Sequence, residues 1–122
     1  MILIITSKRD GHINFVSRHL DLLSNPWIRL NTEDLPSNFD ISVDPVCGKG
    51  SFLVRDSGRS FELSDITAVW YRKPYPLNLS YFALDKAGFD YVEAEFNEVV
   101  QGLYALLSGA LWINNPLTTR LA

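Results

Sequence analysis

Two adjacent cations, Arg72 and Lys73, follow an apolar run and are the residues of this sequence best suited to binding chemistry. The run, residues 66–71, is rich in β-branched and aromatic side chains and predicts a strand buried on both faces. Because Pro74 lacks the N–H that a central strand uses, the strand should end at Lys73. An arginine there can bind a carboxylate or phosphate through two parallel hydrogen bonds. The pattern therefore predicts an anion-binding edge.

Three further residues complete the candidate substrate-binding set. Tyr71 directly precedes the two cations, and Asn114 and Asn115 end another predicted strand. In open α/β sheets, ligands bind beyond the carboxyl ends of the parallel strands, so these side chains are expected at one edge. A plainer interpretation stays open, in which the cations pair with surface carboxylates and the asparagines only cap chain turns.

The elements that would position these residues are short apolar runs separated by helical patterns. Four short runs are predominantly apolar, as buried parallel strands are: residues 2–6, 28–30, 68–71 and 111–113. Residues 39–64 instead alternate apolar and polar side chains, with a turn signal at Ser57–Gly58, and predict an antiparallel meander. We therefore predict an α/β fold of Rossmann-like type, a mixed sheet whose mostly parallel four-stranded core has the meander appended at its edge.

Two helices are expected to flank the sheet. In the first, Asp10 can accept a hydrogen bond from a first-turn N–H, and an apolar face recurs at spacings of three and four. The second begins near Asp85 and carries the strongest periodic signal in the sequence. The predicted apolar positions are Ile13, Val16, Leu20 and Leu23 in the first helix, and Phe89, Val92, Phe96, Val99, Leu103 and Leu106 in the second.

Composition limits the class of protein. The 122 residues suit one domain, and a net charge of −3 with no basic stripe argues against a nucleic-acid partner. The single cysteine, Cys47, excludes an internal disulfide and fits a reducing compartment. No apolar segment is long enough to cross a membrane. These features predict a cytoplasmic protein without a membrane or nucleic-acid partner.

The sequence contains no recognisable catalytic constellation. Gly48–Lys49–Gly50 lacks the spacing of a phosphate loop and predicts a plain turn. His12 and His19 do not have the spacing of a metal motif, and Cys47 has no obvious activating partner. We therefore assign no catalytic and no metal-binding residue, and expect the chain to be inert by itself.

Four distinctive motifs follow one another in this sequence: Asp-x-His at 10–12, Arg-Leu-Asn-Thr-Glu-Asp-Leu-Pro at 29–36, Ala-Val-Trp-Tyr-Arg-Lys-Pro at 68–74 and Leu-Trp-Ile-Asn-Asn-Pro at 111–116. Together they resemble the N-terminal, pre-ATP-grasp domain of the ATP-grasp ligases that mature ribosomally made peptides. The microviridin-type, or graspetide, ligases are the most similar group. The resemblance covers essentially the whole chain.

The resemblance implies a chemistry for a whole ligase and not for this chain. Such ligases use ATP and Mg²⁺ to convert a side-chain carboxylate of a precursor peptide into an acyl phosphate. A hydroxyl or amine then attacks it, forming an ω-ester or ω-amide. The implied partners are the precursor peptide and a C-terminal ATP-grasp domain of the same chain, and a homodimer is left open. Residues 1–115 would be the pre-ATP-grasp domain, and residues 116–122 would begin the connection to the ATP-grasp domain.

A second hypothesis is a stand-alone binding or dimerisation module of flavodoxin-like or receiver-like shape. Against a phospho-receiver, Ser7–Lys8–Arg9 follows the first strand where an acidic pair would stand. Against a dinucleotide binder, the glycine fingerprint is missing. A helix confined to residues 116–122 would be too short to be stable alone, so the sequence is expected to be part of a longer protein.

Overall fold

The computed structural model describes residues 1–44, 46–72 and 84–114. Within these residues, seven strands and three α-helices follow one another in the manner of an α/β fold. In chain order they are β1 (Ile2–Thr6), α1 (His12–Leu22), β2 (Trp27–Asn31), α2 (Leu35–Asn38), β3 (Phe39–Asp44), β4 (Lys49–Val54), β5 (Arg59–Glu62), β6 (Ala68–Tyr71), α3 (Lys86–Leu106) and β7 (Leu111–Ile113), with 3₁₀ turns at Thr32–Asp34 and Leu63–Asp65.

The four predominantly apolar runs form one parallel sheet, as predicted. Its strand order is β2-β1-β6-β7, so β1 and β6 are the two central strands. Ile5 stands opposite Leu30 on β2 and Tyr71 on β6. Val69 is fully buried at the centre of the sheet. The strand that carries the candidate anion-binding residues therefore lies where the sequence placed it.

The predicted antiparallel meander is confirmed, but it forms a sheet of its own and is not hydrogen-bonded to the parallel sheet as one mixed sheet would be. Strands β3, β4 and β5 pair in that order, antiparallel, and are hydrogen-bonded as a separate three-stranded sheet. Alternation gives this sheet one dry face, where the rings of Phe39, Phe52 and Phe61 pack together. These rings belong to the same buried cluster as Leu3 and Val69. The meander therefore joins the parallel sheet through side chains and not through an edge.

Helix α3 starts as predicted but buries only part of its predicted face. The Asp85 carboxylate accepts a hydrogen bond from the Gly88 N–H at 2.8 Å. The fully buried residues are Leu103, Tyr104 and, just past the helix, Leu107, whereas Val99 and Leu106 are 47% and 38% exposed. A 21-residue helix is about 31 Å long, but a five-residue strand spans only about 17 Å. The sheet cannot cover the whole helix.

Helix α1 differs from its predicted pattern at its carboxyl end. Ile13 is buried as expected, but Leu23 is 70% exposed because the helix ends at Leu22 and Ser24 turns the chain with a φ of 57°. The described part of the chain contains no helix that is long and apolar enough to cross a membrane.

Candidate functional site

The carboxyl ends of β1, β2 and β6 meet at one edge of the parallel sheet, and Arg72 lies there. Its backbone N–H donates to the carbonyl oxygen of Ile5 at 2.9 Å, so the chain stays attached to β1 one residue beyond the end of β6. The centre of its guanidinium lies 5.4 Å from the centroid of the Trp70 ring. Its side chain is 23% exposed. Arg72 is therefore held against the sheet edge rather than extended into solvent.

The partner of Arg72 is Asp10, a buried carboxylate from the loop between β1 and α1. The Arg72 Nε donates to Asp10 Oδ2 at 2.7 Å, and the Asp10 side chain is only 1% exposed. The plainer sequence interpretation was thus right that Arg72 pairs with a carboxylate and wrong that this carboxylate lies on the surface. The pair occupies the Nε of the guanidinium. The two Nη groups form no hydrogen bond to any residue within 1–44, 46–72 and 84–114.

Two further donors hold the Asp10 carboxylate. The hydroxyl of Thr6, the last residue of β1, donates to Oδ2 at 2.7 Å, and the His12 N–H at the start of α1 donates to Oδ1 at 3.3 Å. The predicted hydrogen bond from a first-turn N–H is therefore present, although Gly11 occupies the N-cap position. Among the described residues no buried side-chain polar atom lacks a partner.

The loop that carries Asp10 is itself fixed by a second arginine. Arg29 on β2 donates through Nη2 to the carbonyl oxygens of Ser7 and Asp10, at 2.6 and 3.3 Å. Its Nε donates to Asn31 Oδ1 at 2.9 Å, which holds the guanidinium in place. Contacts thus run from β2 through the β1–α1 loop to the end of β6. Three neighbouring strands contribute to one polar cluster.

The environment of Asp10 keeps this carboxyl ionised. Burial alone would raise its pKa, but the hydrogen bonds from Thr6 and Arg72 and the positive charge of Arg72 outweigh it. The pKa of Asp10 consequently lies below its ordinary value. The carboxylate is therefore the form that pairs with Arg72 at neutral pH.

Acid is expected to weaken the protein through this group. Because the folded-state pKa is depressed, the contribution of Asp10 to stability is present above the unfolded pKa, about 4, and is lost as the pH falls through the folded value. The free energy of unfolding of the wild type should fall more steeply below about pH 4 than that of Asp10→Asn. Urea titrations at a series of pH values measure this difference. Parallel pH profiles for the two proteins would contradict it.

The other predicted site residues have different surroundings. The Tyr71 ring is half-buried and packs edge-on against Tyr104 of α3, with ring centroids 5.7 Å apart, so it belongs to the core side of the sheet. Asn114 is exposed directly after β7 and has a φ of 62°, a conformation that asparagine tolerates better than most residues. Lys73 and Asn115 lie outside the described residues.

Sequence reasoning missed the role of Asp10, Thr6 and Arg29 at this edge. Asp10 was assigned only a capping role, because no sequence pattern shows which loop will face Arg72. The signal that could have indicated this contact is the position of the loop in the strand order. The β1–α1 loop follows a central strand, and a lone acid in that loop can meet a cation at the end of the neighbouring strand.

The other residues that could carry chemistry include Gly48–Lys49–Gly50, which lies at a turn, and His19, which lies on the surface of a helix. Gly48 has a φ of 70° in the turn before β4, and Lys49 begins that strand, so Gly48–Lys49–Gly50 is a turn. His19 Nδ1 lies 3.0 Å from the Phe15 carbonyl oxygen on the exposed side of α1. No group of three or more potential metal ligands occurs among the described residues. A cavity of about 590 Å³ lies at the opposite, amino end of β6, and its lining includes Leu63, Ile66, Leu106 and Leu107 together with Lys49 and Glu62.

This architecture matches the pre-ATP-grasp fold of solved macrocyclases. The family model of the MvdD pre-ATP grasp domain matches residues 1–120, and the chain belongs to this family. A comparison with curated protein sequences gave no match.

Solved structures show the same fold. The macrocyclase MdnB from Microcystis aeruginosa MRC superposes with a TM-score of 0.87 at 18% identity, over 99% of this chain and 39% of that one. MdnC from the same organism, bound with the precursor peptide MdnA, gives 0.84 at 22% identity with the same coverages. A RiPP-associated ATP-grasp ligase of Chryseobacterium gregarium, in complex with ADP and a leader and core peptide, gives 0.75 at 27% identity, over 98% of this chain and 36% of that one. The chain therefore spans about two fifths of the length of these structures.

Proposed function

We propose that this chain is the N-terminal, pre-ATP-grasp part of an ATP-dependent ligase that modifies a ribosomally made precursor peptide. The observation that carries the proposal is the match of residues 1–120 to the MvdD pre-ATP grasp domain. The similar structures contain, by their descriptions, precursor or leader and core peptides, which supports a peptide substrate. Residues 1–115 would form the domain, and residues 116–122 would lead into an ATP-grasp domain of the same chain.

The chemistry of the proposed ligase is carboxylate activation. ATP and Mg²⁺ would convert an acidic side chain of the peptide into an acyl phosphate, which a hydroxyl or amine attacks to give an ω-ester or ω-amide. The described residues offer neither a phosphate loop nor a cluster of metal ligands, so ATP and Mg²⁺ would be bound by residues outside them. We place this reaction in the cytoplasm. A homodimer is compatible with the proposal.

The proposed role of this domain is to form one wall of the active site and to orient the peptide. Arg72 is the residue that we assign to this role, because its Nε is bound to Asp10 while its two Nη groups are not hydrogen-bonded to described residues. That end of a guanidinium fits a carboxylate through two parallel hydrogen bonds. Tyr71, Asn114 and, by sequence, Lys73 and Asn115 would border the same edge.

The first prediction is that the isolated chain and the full-length ligase differ in Mg-ATP binding and in activity. The isolated chain should neither bind Mg-ATP with useful affinity nor hydrolyse it, whereas the full-length ligase should bind Mg-ATP and remove one water from the precursor peptide for each linkage. Calorimetric titration and mass spectrometry measure the two properties. Binding of Mg-ATP by the isolated chain in the low micromolar range would contradict the proposal and favour a stand-alone module.

A further inference from the structure

The ion pair between Asp10 and Arg72 differs from the other ion pairs that the structure describes. The carboxylates of the Lys8–Asp34 and Arg55–Asp40 pairs are 18% and 46% exposed, whereas that of Asp10 is 1% exposed. Desolvating two charges costs free energy that their attraction offsets only when the geometry is good and the remaining hydrogen-bonding groups are satisfied. The burial of this ion pair therefore does not by itself indicate that its role is only to stabilise the fold.

The geometry around the pair fixes the direction of the guanidinium. The Arg72 backbone is bound to Ile5, its Nε is bound to Asp10, and Trp70 lies beside its charged end. An arginine side chain has several rotatable bonds, and most of its freedom is removed here before any ligand arrives. Preorganisation of this kind lowers the entropic cost of binding an anion.

We propose that Asp10 is a positioning residue, which holds the Arg72 guanidinium by its Nε so that both Nη groups remain available for a carboxylate of the substrate peptide. The inference rests on the proposed function, since it needs a peptide carboxylate to be bound at this edge. Thr6 and the His12 N–H hold the Asp10 carboxylate in turn, and Arg29 holds the loop that carries it. Asp10 does not contact the peptide.

The test uses Asp10→Asn, Arg72→Ala and the double variant in the full-length ligase. Asparagine is nearly isosteric and keeps an acceptor for Nε but removes the charge. We expect kcat/KM for the precursor peptide to fall about tenfold in Asp10→Asn, with the KM for Mg-ATP unchanged, since only the peptide carboxylate depends on Arg72. The double variant should be no worse than Arg72→Ala, because a residue that acts only through Arg72 has nothing left to position.

Asp40→Asn is the matched control, because it removes the charge of an exposed carboxylate that also pairs with an arginine, Arg55. It should ligate like the wild type. Wild-type ligation by Asp10→Asn together with impaired Arg72→Ala would overturn the positioning role and leave the proposed function intact. Wild-type ligation by both would refute the substrate-binding role of Arg72 itself. Losses that multiply in the double variant would show that Asp10 acts independently and would also overturn the inference.

A measurement on the wild type covers the case in which Asp10→Asn does not fold. Hydrogen exchange of arginine Nε–H groups is followed by NMR in the nitrogen-15-labelled full-length ligase. The Nε–H of Arg72 should exchange at least about tenfold more slowly than that of the exposed Arg18, because it is bound to a buried carboxylate. Equal exchange rates would overturn the inference.

Discussion

Replacement of Arg72 by alanine is expected to lower ligation by the full-length ligase about tenfold or more, equivalent to about 1.4 kcal/mol of transition-state free energy. The peptide carboxylate must be held close to the phosphate donor, and a fixed guanidinium contributes to that orientation. Arg72→Lys should recover activity only in part, because an ammonium group cannot provide the planar pair of donors. Ligation rates under single-turnover conditions measure both effects.

Stability must be measured beside activity for these variants. The Arg72 side chain is only 23% exposed, and its charge balances the buried Asp10 carboxylate. Arg72→Ala should therefore also lower the melting temperature, because it leaves Asp10 buried without its cation. Assays should be run at a temperature where each variant is folded. Arg55→Ala, which removes an exposed arginine from the turn after β4, is the control. Wild-type turnover in folded Arg72→Ala would rule out the substrate-binding role.

Replacement of Phe52 by alanine is expected to cost about 3–5 kcal/mol of unfolding free energy, a large part of the stability of an ordinary domain. Phe52 is 1% exposed, and its ring lies between those of Phe39 and Phe61. These rings join the core beneath the parallel sheet. The substitution should therefore destabilise both sheets together.

The three tryptophans allow this coupling to be measured. Trp27, Trp70 and Trp112 all lie on strands of the parallel sheet, so their fluorescence reports on the unfolding of that sheet. Phe52 lies in the antiparallel sheet. Phe52→Ala should lower the urea concentration at the unfolding midpoint that is measured by tryptophan fluorescence. Leu53→Ala, the next residue of β4, is 37% exposed on the opposite face and should cost less than about 1 kcal/mol. An unchanged fluorescence midpoint for Phe52→Ala would contradict a shared core.

Much of the fold was predictable because its signals are local. Short, predominantly apolar runs predicted the four parallel strands, alternation predicted the meander, and Asp85 predicted the start of α3. These patterns reflect how many faces of an element are buried, which the neighbouring residues alone reveal. The extent of burial along α3 was less predictable, since Phe89 and Val99 have the right spacing but are 36% and 47% exposed, whereas burial is confined to the carboxyl end of the helix. A periodic pattern does not contain the length of the surface against which a helix packs.

The sequence by itself determined the element types and the strand that precedes Arg72, because backbone and side-chain preferences act over a few residues. Only the tertiary structure decided which groups meet at the end of that strand. Asp10 lies 62 residues from Arg72, and they come together because β1 and β6 are neighbours in the sheet. The separation of the meander into its own sheet was decided in the same way, by the packing of Phe39, Phe52 and Phe61 against the common core. Strand order and sheet packing depend on long-range burial and hydrogen bonding, which no short stretch of sequence contains.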